Sequence, residues 1–271
     1  MTSSLLRPRG RIRTATTTDP AAAGTPVRVA GGTEPTRILD WREPRVTALA
    51  RTLELPAGAD PVASLRRAHS WIATSVRPVY SVQDERPVSQ VLRLGRGSCS
   101  QRLAVLEAVA RATGTATRVR GLVVDGAFWY PRFPRLRHLV PDQVLLAWPE
   151  FRLPEPAVEP ELEPEPGASR WLTVSELFGG LDERGAAPGG GFTNAGPETL
   201  FEAISRTAID WDGATTLCPT GGAPCDLSAY VLTDLGHFDS RDALFARHGQ
   251  TLCPLARTVA EPILGRHAAG A

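Results

Sequence analysis

The sequence predicts an α+β fold, and three observations carry that expectation. Several segments repeat apolar residues at helical spacing. Others are β-branched and alternating, or continuously apolar, as strands are. Of 271 residues, 42% are hydrophobic and 22% charged, enough apolar material for a sizeable core. At ~100–200 residues per domain, the length fits one large or two small domains.

Taken in chain order, Met1 to about Thr36 lacks an amphipathic period and carries Arg7, Arg9, Arg11 and Arg13. It reads as a solvated, disordered basic arm over residues 1–36. Helices are expected over Arg45–Leu53 and Val62–Val76. Asp60-Pro61 supplies an N-cap and first-turn proline for the second. Leu65, Ala68, Ile72 and Val76 mark its buried face, and Arg77-Pro78 stops it. A third helix opens at Ser98 or Cys99, with Leu103, Leu106, Val109 and Ala110 on one face. Gly114 stands where a left-handed residue closes a helix. Thr117–Val124, Gln143–Phe151 and the shorter Trp171–Leu177 read as strands. Pro154–Pro166, where Pro and Glu nearly alternate, and the glycine-rich Gly185–Gly196 read as loops. Helices are expected again at Glu198–Ala208, Ser240–His248 and Cys253–Leu264. The core therefore spans residues 37–180, followed by a helical C-terminal extension over 181–271.

Composition narrows the function classes. Thirty basic against 29 acidic residues leave a charge of +1, so a nucleic-acid partner is not expected. The longest strongly apolar run, Val144–Trp148, is far short of a membrane helix, so no membrane association is expected. All basic residues are Arg, which leaves no lysine for Schiff-base or general-base chemistry. Met1–Arg13 lacks the apolar region of a signal peptide. Cys99, Cys218, Cys225 and Cys253 are too few for a disulfide scaffold in a chain this long. The expected location is the reducing cytoplasm.

Chemistry concentrates at Gly95-Arg96-Gly97-Ser98-Cys99-Ser100-Gln101-Arg102. A cysteine in the first turn of a helix meets the positive end of the dipole and unpaired backbone N–H groups, which favour a thiolate. The preceding glycines let a substrate backbone approach closely. The N–H of Cys99 is then placed to meet a developing oxyanion. A small buried residue opening a core helix is the plainer alternative.

Gly97-Ser98-Cys99, the helix end Leu106–Gly114 (LEAVARATG) and Thr117-Arg118-Val119-Arg120-Gly121 together resemble the transglutaminase-like core. Pro87–Leu92 is similar to that family's lead-in to the nucleophile, and the resemblance spans roughly Leu65–Phe178. It implies a papain-like arrangement, a Cys-bearing helix packed on a small antiparallel sheet that carries a histidine and then an aspartate. A thiolate needs a partner to take its proton and a third group to hold that partner. The resemblance puts Gln143 where the histidine is expected and Ser175 where the aspartate is expected. Gln cannot serve as a general base. Two readings stay open. In one, His138 supplies the imidazole and Asp142 (or Glu150 or Glu176) orients it, while Gln143, Ser98 and Trp148 bind substrate. In the other, the triad is incomplete and the domain is a catalytically silent binding or scaffold module. The enzyme reading implies a Cys99 thioester acyl-enzyme, an acyl donor that is a small molecule, peptide or carrier-bound group, and an amine or water acceptor. It suits amide or thioester hydrolysis, or acyl transfer in small-molecule biosynthesis.

No cofactor is expected. Cys218, Cys225, His237, His248 and Cys253 lack the paired spacing of a structural zinc site, so no metal is expected. Gly189-Gly190-Gly191 has no leading strand or following Lys and is no phosphate cradle. Ser240 suits a helix N-cap without a capping box.

Overall fold

The computed structural model describes residues 29–53, 60–135, 137–154, 169–179, 192, 194, 198–204 and 227–266. Most of the basic arm, the Pro/Glu loop, most of Gly185–Gly196, Cys218 and Cys225 lie outside these residues.

Four helices precede the main sheet: α1 (Pro44–Thr52), α2 (Pro61–Ser75), α3 (Val88–Leu94) and α4 (Cys99–Ala112). α1 and α2 both start on a proline, whose missing N–H falls among the donors that a first turn leaves unpaired anyway. The Asp60 carboxylate accepts from the N–H groups of Val62 and Ala63 at 3.1 and 3.2 Å. Leu65, Ala68, Ile72 and Val76 are buried as their spacing predicts. α3 ends on Gly95 at φ 59°, a left-handed residue that lets the chain turn directly toward Cys99. A two-residue parallel pair, β1 (Arg77–Pro78) with β2 (Arg96–Gly97), ties the end of α2 to the entry of α4.

The main sheet is antiparallel, in the order β5-β4-β3-β6. β3 is Thr117–Asp125, β4 Gln143–Pro154, β5 Ser169–Thr173 and β6 Val231–Phe238. Two sequence expectations are corrected here. Trp171–Leu177 is not one strand: β5 stops at Thr173 and helix α5 (Val174–Gly179) follows. The Glu176 N–H donates to the Thr173 hydroxyl at 3.3 Å, and the Thr173 N–H donates to the Glu176 carboxylate at 2.6 Å. That reciprocal capping box starts a helix where the β-branched residues alone suggest a strand.

The C-terminal region, in turn, is not purely helical. It supplies β6, which pairs with β3 from Val119↔Phe238 to Val124↔Val231 through two register shifts. Asp234 and Gly236 disfavour strands, so pairing with β3 decides the conformation. The sheet is therefore completed from beyond residue 180. Helices α6 (Arg241–His248) and α7 (Pro254–Leu264) follow. Ser240 caps α6, accepting from the Ala243 N–H at 3.1 Å. The described part of Glu198–Ala208, up to Ile204, forms turns instead of an α-helix.

α4 is the centre of the core. It packs against α2, β3 and β4, and every residue from Gln101 to Arg111 is buried. Each fully buried Leu or Val of this helix contributes ~1.5–3 kcal/mol. Its charged residues are buried with partners. Glu107 pairs with Arg241 of α6, Nε to Oε1 2.5 Å, both side chains fully buried. Arg111 donates to the Thr117 hydroxyl and to the carbonyls of Glu34, Thr117 and Asp239. Two glycines set close approaches. A Cβ on Gly121 would stand 2.6 Å from Leu244 of α6, and one on Gly126 would stand 1.8 Å from the Pro141 carbonyl oxygen.

Candidate active site

Cys99 is the first residue of α4, and a reciprocal bond set fixes that helix start. The Ser98 hydroxyl accepts from the Gln101 N–H at 3.3 Å, and Gln101 Oε1 accepts from the Ser98 N–H at 3.0 Å. The Gln101 amide also donates to Ser81 Oγ at 2.8 Å and to the Gln83 carbonyl at 2.7 Å. The Cys99 turn is thus locked to the loop that follows β1. Glu261 of α7 holds this loop from the other side. Its carboxylate accepts from Ser81 Oγ at 3.0 Å and from the Val82 N–H at 2.9 Å, and it pairs with Arg86. Gln250 accepts from the Asp84 N–H at 3.0 Å.

The Cys99 thiol is free and half-buried. It opens on a cavity of about 480 Å³, walled by the 79–84 loop, the turn around Phe128–Phe133, the segment Leu139–Leu146, and Leu252 with α7. Polar groups gather beside the sulfur: Asp84, Ser98 and Ser100 all line the cavity. Arg241 donates to Ser100 Oγ at 3.0 Å and to the Ala147 carbonyl at 3.3 Å while pairing with Glu107. Burial pushes the Asp84 carboxyl up to about 6, against the attraction of Arg241 and a hydrogen bond with the Ser100 hydroxyl. Burial likewise pushes Glu107 up, opposed by Arg241. A carboxyl poised near 6 can accept a proton at neutral pH and return it.

Of the residues singled out from the sequence, Cys99 and Ser98 line the cavity. His138 is exposed on the short turn Arg137–Leu139 and does not line it, although Leu139, Val140 and Pro141 just after it do. Asp142 is exposed, and its carbonyl accepts from the Gly126 N–H at 2.9 Å. Gln143 is exposed at the start of β4 opposite Asp125. Trp148 is fully buried in β4, its indole N–H without a partner among the described residues. Ser175 is buried in α5. The other described histidines are occupied elsewhere. His69 Nε2 lies 2.8 Å from the Phe201 carbonyl, His237 Nε2 lies 3.1 Å from Glu150, and His248 packs edge-on against Phe238. Among the described residues, no histidine lines the Cys99 cavity.

Sequence reasoning missed Asp84, Arg241 and Glu107. The one available signal was charge inside the apolar run of α4, since a buried Glu107 requires a cation from elsewhere.

Fold and site together define an α+β domain whose central buried helix presents a cysteine at its first turn, packed on an antiparallel sheet. Residues 46–174, a little under half the chain, match the family model of the transglutaminase-like superfamily. The resemblance carried by the Cys99 and Arg-Val-x-Gly motifs holds over that segment, in a superfamily that generally includes cysteine-based acyl transfer or hydrolysis. No curated protein and no solved structure matches the chain. β6, α6, α7 and the connection between these two helices lie beyond the matched segment, yet Arg241 of α6 bonds Ser100, and Leu252 of the connection and residues of α7 wall the cavity. Among the described residues, no helix is long and apolar enough to cross a membrane.

Proposed function

We propose that the chain is a cysteine acyltransferase or acyl hydrolase with Cys99 as nucleophile. The observation that supports this reading is a free thiol at a capped helix start, facing a cavity that also holds a carboxyl group. Asp84 takes the thiol proton, and the sulfur adds to the carbonyl of an amide or thioester donor. The N–H of Cys99 stabilises the oxyanion. The tetrahedral adduct then expels an amine or thiol, which leaves with the proton, and an acyl-Cys99 thioester remains. Water or an amine attacks that thioester, giving its proton to Asp84 and freeing the sulfur. A base role for His138, oriented by Asp142, requires the 137–142 turn to swing inward, whereas Asp84 already lines the cavity. The donor is a small molecule, peptide or carrier-bound acyl group. A reducing compartment such as the cytoplasm suits a nucleophile that must remain a thiol.

Intact-mass analysis after mixing with an acyl thioester tests the reading. The expected result is one acyl adduct on the wild type, none on Cys99→Ser and slow formation on Asp84→Asn. Absence of an adduct with both thioester and amide donors sinks it.

One observation favours a second reading, a catalytically silent binding module: no described histidine lines the cavity, and Gln143 and Ser175 stand where the resemblance expects His and Asp. That reading expects ligand binding with no covalent adduct. It also expects alkylation of Cys99 by iodoacetamide to follow pH as an ordinary thiol does, near ~8.5.

A further inference from the structure

We propose that the Cys99 cavity takes an aliphatic acyl chain, so that the acyl donor is a medium- or long-chain fatty acyl group in place of a polar glutaminyl side chain. This rests on the acyl-transfer reading for the carbonyl and on independent observations for the chain. Away from the sulfur, the walls are branched aliphatic side chains such as Val79, Val140, Val144, Leu146 and Leu252. Several polar groups of the lining are already engaged: the Thr251 hydroxyl accepts from the Leu145 N–H at 3.0 Å, and the Thr199 hydroxyl bonds Glu202. Arg132 donates to Asn194 Oδ1 at 3.0 and 3.1 Å, and the Asn194 amide donates to the Phe128 carbonyl at 2.8 Å. A polar substituent would thus be buried there without a free partner, which the site penalises. Polar cavity groups with chemistry to offer, Asp84, Ser98 and Ser100, cluster at the Cys99 end. The cavity is therefore polar at one end and apolar along its length, the pattern of a carbonyl with a hydrocarbon tail.

Its rim continues the pattern. Val259 and Ile263 of α7 line the cavity yet are 63% and 66% exposed, and Leu255 extends the same stripe at 61%. A chain longer than the cavity would leave along this stripe and cover it. The volume of about 480 Å³ lies within the ~300–1,000 Å³ of small-molecule sites.

The test measures displacement of a dansyl-labelled undecanoic acid from the wild type and from Cys99→Ser by butyrate, octanoate, dodecanoate and N-acetyl-glutamine amide. Each methylene buried in an apolar site tightens binding roughly fourfold. Octanoate is expected to bind at least tenfold tighter than butyrate, equally in both proteins, with the glutamine amide weakest. Val259→Glu with Ile263→Glu, both at exposed positions that spare the fold, is expected to weaken dodecanoate about tenfold and leave butyrate unchanged. Chain-length-dependent binding without any adduct on Cys99 upholds the inference while sinking the catalytic reading. An adduct formed equally well from acetyl and decanoyl thioesters, with no chain-length trend in binding, overturns the inference and spares the catalysis. If the α7 double variant converts a dimer to a monomer and leaves dodecanoate affinity unchanged, the stripe is a subunit contact and the rim is overturned.

Discussion

Two polar clusters in this molecule invite comparison. One joins Arg118, Glu150 and His237 across three neighbouring strands. Arg118 Nε bonds Glu150 at 2.6 Å, His237 Nε2 lies 3.1 Å from the other carboxylate oxygen, and the Arg118 guanidinium rests over Trp171 at 4.4 Å. The other joins Asp84, Ser100 and Arg241 beside Cys99. By chemical inventory the first is the better-looking active site, because it holds an imidazole against a carboxylate. Yet none of its members lines the Cys99 cavity, and each bond it makes closes a cross-strand brace. The second has no imidazole, but its carboxyl, a free thiol and an apolar hollow share one space. On the proposed function, location beside a void, and not the pairing of acid with base, is what marks the second cluster out.

The sharpest way to break this comparison is Cys99→Ser. It should abolish acyl-adduct formation while shifting stability by no more than ~0.5 kcal/mol, as a near-isosteric change should, checked by intact mass and denaturant melts. Asp84→Asn should slow adduct formation by ~10²–10⁴, the range of lost acid–base assistance, measured as a single-turnover rate. Wild-type speed in that variant would remove Asp84 from the mechanism. Arg241→Met removes the cation hydrogen-bonded to buried Glu107 and should cost about 3–5 kcal/mol in urea unfolding.

A pH series sharpens the picture further. The folded protein holds the Asp84 proton more tightly than the unfolded chain, with a value near 6 against the ordinary 3.8. This group therefore favours folding most at low pH. Its contribution falls as pH rises from about 4 to 6, by up to ~3 kcal/mol for a shift of about two pH units. The difference between wild type and Asp84→Asn should show that slope, and above pH 6 the Asn variant should be the more stable. The smallest effects should come from the brace and the outer turn. His237→Gln should cost no more than ~1 kcal/mol, and both it and His138→Gln should leave the adduct rate within about twofold. A large loss in His138→Gln would restore the imidazole mechanism.

What was legible in the sequence is what acts within a few residues. Asp60 and Ser240 cap helices that begin where their side chains point. Ser98-x-x-Gln101 closes its own capping box, so the start of α4 and the place of Cys99 followed from local pattern. The same logic should have caught Thr173-x-x-Glu176, where β-branched residues masked a capping box and a helix was read as strand. Gly114, at φ 89°, closes α4 as expected. The site was half legible: its cysteine at a helix start, its glycine-rich entry and its family resemblance, but neither Asp84 nor Arg241.

By itself, then, the sequence determined the helix starts at Asp60, Ser98 and Ser240, the stop of α4 at Gly114, the strands β3 and β4, and a cysteine presented at a helix terminus. Those depend on dihedral preference, capping bonds and the period of apolar residues, all settled within a turn or two of chain. Tertiary structure alone decided that β6 completes the sheet, that Arg241 reaches Glu107, and that Asp84 and α7 enclose the space before Cys99. These arrangements join segments distant in the chain. Burial sets their energies, and burial exists only once the whole chain has collapsed around α4.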